Sequence, residues 1–234
     1  MLNKIKYILF LFILINLVGC ESKEITLDDS NITKEETLNV NKEPIFSYSD
    51  IPSEIKEKMI GCSMPEDEPI KFESLSYLKL SYYGFDDKTH IGEMIVNKEV
   101  AAEVVDIFKE LYEAKYPIEK INLIDEYNAD DELSMQDNNT SSFCYRTIAG
   151  TDKISNHGKG VAIDINPLYN PHVNTSTNKV NPTTATKFID RNNLITGMIV
   201  ENDPCYNAFV KRGWTWGGYW KNPDYQHFEK NINN

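Results

Sequence analysis

The ten residues Ser155-Asn156-His157-Gly158-Lys159-Gly160-Val161-Ala162-Ile163-Asp164 constrain the fold more than any other stretch of the chain. They set a histidine and a carboxylate seven residues apart, with two glycines after the histidine and an apolar run leading into the aspartate. If residues 161–165 form a strand, their side chains alternate between two faces. Val161, Ile163 and Ile165 then point into a core, while Ala162 and Asp164 point the other way. A carboxylate beside a small residue on an open face, close to a histidine on a glycine turn, has the chemistry of two ligands of a catalytic zinc site. Such a site normally takes three protein ligands and leaves one position for water. The stretch therefore calls for a third ligand, a base and a positive group elsewhere in the chain.

A chain of 234 residues with 41% hydrophobic content can bury one sizeable core or two small ones. Its formal charge of −12 argues against a nucleic-acid partner, because a phosphate backbone calls for a basic face. The first residues read as a targeting segment, with Lys4 and Lys6 ahead of an apolar run at 7–18 that is too short to favour a membrane span. The run ends in Leu17-Val18-Gly19-Cys20, which resembles the lipobox of bacterial lipoproteins. That resemblance implies a signal peptide at 1–20, lipid on Cys20 and an extracytoplasmic protein anchored to the bacterial membrane. An uncleaved signal anchor and a plain secretory signal are the alternatives. Cleavage removes Lys4 and Lys6 and takes the formal charge from −12 to −14. Residues 21–44 are polar and aperiodic and read as a flexible tether to a domain at 45–234. Cys62, Cys144 and Cys205 remain, an odd number that fits one disulfide plus a free thiol or three free thiols.

Within the domain, residues 52–60 fit a short helix, and residues 75–83 and 90–96 read as strands. Asn97 reads as a helix cap. Behind it Val100, Val104, Phe108, Leu111 and Tyr112 recur at helical spacing, predicting an amphipathic helix over 98–115 whose stripe is core. Residues 118–124 resemble a strand, 128–142 a polar loop, and 143–148 a strand delivering Tyr145 and Arg146. Residues 166–202 are rich in Asn, Pro and Thr and read as a long irregular segment. Asp203-Pro204 is an N-cap followed by proline at the first helical position, and Gly213 is placed to end that helix.

His227 is the natural third ligand, because it has acidic neighbours at short range, whereas His90 and His172 read as structural or solvated. Two carboxylates compete for the base: Asp224, three residues before His227, and Glu229, two residues after it. The aromatic residues Trp214, Trp216, Tyr219 and Trp220 fit either a core cluster or a cleft wall.

Taken together, Arg146, Ser155-x-His157-x-x-Gly160-x-Ala162-x-Asp164, Gly213-Trp214-x-Trp216-Gly217-Gly218 and Asp224-x-x-His227-Phe228 resemble the zinc D-alanyl-D-alanine carboxypeptidase (VanY-type) family. That family also includes VanX-type dipeptidases and phage L-alanyl-D-glutamate endopeptidases. The resemblance spans about 75–228, with its sharp motifs between 144 and 228. It implies an α+β fold, a small antiparallel sheet with helices packed on one side and zinc held on the sheet. It makes His157, Asp164 and His227 the Zn2+ ligands, Asp224 the base and Arg146 the oxyanion-stabilising group, with Ser155 near the substrate. The expected activity is hydrolysis of a peptide bond in peptidoglycan stem peptides, foremost removal of a terminal D-alanine, by a monomer. Endopeptidase action, dipeptidase action and a non-catalytic wall-binding module are the rival expectations.

Overall fold

The two aromatic, β-branched runs pair with each other and become the spine of the protein. The computed structural model describes residues 43–67, 69–148 and 150–232; the expected signal peptide with Cys20, and all but the last two residues of the tether, lie outside the described residues. Strand β1 (Phe46–Ser49) leads into helix α1 (Ser53–Met59), followed by β2 (Leu75–Tyr83) and β3 (Thr89–Asn97). β2 lies between β1 and β3 and is antiparallel to both.

Both faces of this sheet are covered. Leu78, Leu80, Tyr82, Met94 and Val96 pack into the main core, while Leu75, Tyr77 and Ile95 join Ile55, Met59 and Phe143 on the opposite face. Helix α2 (Ala101–Glu113) covers the first face with Val104, Ile107, Phe108 and Leu111, as its helical spacing predicts. Burying each such side chain contributes ~1.5–3 kcal/mol. The helix begins later than expected, because the Asn97 side chain accepts from the Glu99 amide (3.0 Å) and shapes a turn ahead of it.

Two expectations between the sheet and the metal-site stretch are corrected. Residues 128–142 are not a loop: after β4 (Lys120–Ile121) they hold α3 (Asp131–Gln136) and β5 (Asn139–Thr140), which pairs parallel with β4. Asp130 caps α3 by accepting from the Leu133 amide, and the Asn139 side chain donates to Ser134 Oγ and to the Asn122 carbonyl. Polar composition reads as solvated surface, yet Ser134, Asn138, Asn139 and Thr140 are buried and several are bonded within the protein. Nor is 143–148 a strand. It is an extended arm whose amides reach in several directions, Phe143 to Ile95, Cys144 to His157 and Tyr145 to Ser63. Cys62, Cys144 and Cys205 are all free thiols.

The second half of the chain builds a small sheet of order β6-β10-β9 from β6 (Ala162–Asp164), β9 (Thr215–Trp216) and β10 (His227–Glu229). Between β6 and β9 come the hairpin β7 (His172–Asn174) and β8 (Lys179–Asn181), then α4 (Pro204–Val210). Asp203 caps α4 by accepting from Tyr206 N at 2.7 Å, with Pro204 at the first helical position. Gly213, at φ +79°, ends it with the paired bonds Gly213 N to Val210 O and Trp214 N to Phe209 O. The irregular stretch after β6 is held from inside. Asn170 donates to Ile165, Asn166 and Gly197 carbonyls and accepts from Ile199 N, while Asn166 bridges Glu119, Pro117 and Gly197. The whole is the expected α+β architecture of small antiparallel sheets and a few helices. Among the described residues no helix is long and apolar enough to cross a membrane.

Gly160 couples the two sheets. Its carbonyl accepts from Asn97 N at 2.8 Å, its φ is +70°, and a Cβ there would lie 2.6 Å from Asn97 N. Gly61 has a similar φ of +75° but open space around its Cβ position. Gly61→Ala should therefore lose only about 1 kcal/mol to backbone strain, and Gly160→Ala about twice that or more. Urea denaturation of both variants checks this; equal losses would contradict the coupling.

Candidate metal centre

The turn that carries His157 is built from its own short polar residues. Ser155 Oγ accepts from Gly158 N (2.9 Å), Gly160 N donates to the His157 carbonyl (2.9 Å), and Val161 N donates to Asn156 O (2.9 Å). The chain then enters β6, where Val161, Ile163 and Ile165 are buried as the alternation predicts and Asp164 turns to the other face. β10 runs antiparallel beside it in a register that sets His227 directly opposite Asp164. Because one step along a strand reverses the face, Phe228 points into the core and stacks on Phe209, with ring centroids 4.2 Å apart.

Three side chains thus converge. His157 Nε2 lies 3.2 Å from His227 Nδ1 and 3.3 Å from Asp164 Oδ2, and His227 Nδ1 lies 3.0 Å from Asp164 Oδ1. The outer ring nitrogens are both engaged. His157 Nδ1 donates to the Ser142 carbonyl at 2.8 Å and His227 Nε2 donates to Glu229 at 3.1 Å. This pattern fixes the outer N–H of each ring, so once His227 Nδ1 gives up its proton each imidazole turns one lone pair inward, the arrangement that orients metal-binding histidines. Tetrahedral zinc with nitrogen and oxygen ligands at ~2.0–2.2 Å needs donor atoms about 3.3 Å apart. The observed 3.0–3.3 Å spacings fit, and the three residues form one group able to hold a metal ion.

Electrostatics follow from this crowding. Burial opposes the Asp164 charge, but His157 and His227 hold the carboxyl well below the usual carboxylate range. Burial lowers the proton affinity of His227, yet hydrogen bonds to Asp164 and Glu229 and the charges of Asp164 and Asp224 outweigh it and raise the pKa to about 10.

The two carboxylates that competed for the base are now separated. Glu229 accepts from His227 Nε2 and from Asn156 Nδ2 (2.8 Å), on the outer side of the imidazole. Asp224 precedes β10 on a turn closed by its own amide to Gly217 O (3.0 Å), and its buried Oδ1 has no partner. Burial and the nearby Asp164 charge push the Asp224 carboxyl up, against the pull of His227 and His172. Gly217 leaves room for this turn, since a Cβ there would lie 2.7 Å from Asp224 O.

A cleft of about 230 Å3 opens over the cluster, with Arg146, Asp131, Asp224 and His172 in its walls. Arg146 Nη1 sits 3.2 and 3.0 Å from the two oxygens of Asp131, which α3 supplies. Ser155 is not among the cleft-lining residues; its hydroxyl is committed to the His157 turn. Trp214 and Trp216 belong to the core, whereas Tyr219 and Trp220 are exposed and the Trp220 ring stands 5.3 Å from His227. His90 pairs with Asp86 outside the cleft. Asp131 lies in a polar cluster without a signal of its own, and His172, which reads as structural or solvated because it lacks a close acidic neighbour in sequence, lines the cleft. A larger cavity of about 710 Å3 borders Glu229 and Asn156 but touches none of the three converging residues.

Because Nδ1 of His227 must lose its proton before it can bind a metal, cation binding should release protons. With a pKa of about 10, His227 is charged at neutral pH, so affinity should weaken as pH falls from about 10. Calorimetric zinc titration at pH 7.5 in buffers of different ionisation enthalpy should report release of about one proton. Zero release would contradict the raised pKa of His227.

Residues 149–230 match the family model described as D-alanyl-D-alanine carboxypeptidase. No curated protein and no solved structure matches the chain. The matched segment contains His157, Asp164, Asp224 and His227, while Arg146 and α3 precede it. Over that segment the chain is similar to the D-alanyl-D-alanine carboxypeptidase family, the one its motifs resemble.

Proposed function

We propose that the protein is a zinc-dependent peptidase that hydrolyses peptidoglycan stem peptides and removes their terminal D-alanine. The observation that carries this reading is the convergence of two imidazole nitrogens and a carboxylate, 3.0–3.3 Å apart, beside a further carboxylate that is not part of the set. The family match over 149–230 supports a peptidase of this type.

His157, Asp164 and His227 would hold the zinc, whose chemistry when bound is to polarise a carbonyl and make a water acidic at neutral pH. Asp224 acts as the proton carrier. Asp224 lines the cleft with one oxygen left unpartnered, and its raised pKa brings it closer to the range where it can take a proton and return it to a leaving amine. Arg146 presents a fixed positive charge, steadied by Asp131, where the carbonyl oxygen becomes negative, an effect worth about 3 kcal/mol in comparable sites. Glu229 acts one step back by fixing the His227 ring.

These roles separate in two variants. Asp224→Asn should bind zinc normally yet release D-alanine from a defined muropeptide about 10²–10⁴-fold more slowly. Glu229→Ala should instead weaken zinc binding about 10–100-fold and recover activity in excess metal. Mass spectrometry of the products reads the cut bond. Normal turnover by Asp224→Asn would contradict its role, and failure of the zinc-loaded wild type to cut any muropeptide would contradict the proposed activity.

A further inference from the structure

We infer that His172 reads the free carboxylate at the end of the substrate, with Asn181 beside it; this rests on the terminal D-alanine reading above. The β7–β8 hairpin is docked along the segment that carries Asp224. Val173 N donates to Pro223 O at 2.8 Å and Tyr225 N donates to Pro171 O at 3.4 Å. These bonds flank His172 and Asp224 and make them a directly opposed antiparallel pair without hydrogen bonds between them. In such a pair the Cα atoms are about 4.5 Å apart and the side chains share a face at their closest cross-strand approach. On the other side of the hairpin Asn181 opposes His172, and His172, Asn181 and Asp224 all line the cleft.

The chemistry of the leaving group dictates what must stand there. Asp224 returns its proton to the nitrogen of the departing residue. In a terminal amino acid the carboxylate carbon is two bonds from that nitrogen, so its receptor has to lie within a few ångströms of Asp224. Asp131, Asp164 and Asp224 line the cleft, so a substrate carboxylate there needs a donor of its own. Arg146 is the group placed at the carbonyl oxygen, and His157 and His227 are turned toward the metal cluster. His172 makes no side-chain hydrogen bond among the described residues, and an imidazole offers an N–H in either charge state. It is the donor next to the base that the cluster leaves available.

Two stem peptides, one ending in D-Ala-D-Ala and the other in the same sequence as a terminal carboxamide, test this. Wild type should prefer the free acid. His172→Ala should lower kcat/KM for the acid about 10–100-fold, mainly through KM, with little change for the amide. His172→Gln, which keeps an N–H, should restore much of the preference. Zinc content checks each variant; if the alanine variant fails that check, His172→Leu fills the space without a donor and carries the test. A zinc-loaded variant without a donor that keeps the full preference for the acid overturns the role of His172, while the terminal D-alanine reading stands. Equal cleavage of both peptides by wild type shows that no carboxylate is read and also overturns it. Cleavage of neither removes the reading on which it rests.

Discussion

A single cross-strand pairing holds the site together. The β6–β10 register places Asp164 opposite His227, and a slip of one residue would turn Phe228 outward and bury the histidine in the core. The Phe228–Phe209 stack and the buried side chains of Val161, Ile163 and Ile165 oppose that slip. Hydrophobic burial on one face of a very small sheet therefore fixes the polar geometry of the other. Two imidazoles and a carboxylate could not stand this close without either a cation or a shared proton between them, which is why His227 holds its proton so firmly when no metal competes.

The rest of the molecule supplies what this sheet is too small to supply for itself. The large β1–β3 sheet with α2 forms one side of the main core, and Gly160 rests the His157 turn against the end of β3. α3 brings Asp131 to Arg146, and the β7–β8 hairpin lies along the strand-like segment before β10. The functional groups thus come from four separate pieces of chain that meet over one sheet. The buried amides of Asn166 and Asn170 do in the irregular segment what a strand ladder does elsewhere, satisfying carbonyls that have left the water.

What could be read in the sequence was local and chemical. The capped helix after Asp203, the aromatic strand pair and the α2 stripe each carry their signal within a few turns or strand steps. The alternation around Asp164 showed which face it would take. The meeting of residues 157 and 227 is not a property of spacing; it came from the resemblance of several motifs together, and the geometry agrees with it. The loop expected over 128–142 fails because polarity is not exposure, and the strand expected over 143–148 fails because its amides find three different partners. Asn138, Asn139 and Thr140 are polar and buried because each finds a partner or a tight turn inside, and composition does not report partners. His172 and Asp131 reach the cleft only through tertiary contacts, one through a hairpin docked on a distant segment and the other through a helix of six residues.

On the reading proposed above, His157, Asp164 and His227 bind one zinc ion together. Anomalous diffraction from crystals of zinc-loaded protein, recorded on both sides of the zinc absorption edge, tests it most directly. One strong peak should lie within bonding distance of His157 Nε2, an Asp164 oxygen and His227 Nδ1. A peak held by other residues, or a peak that lacks one of these three, would contradict it.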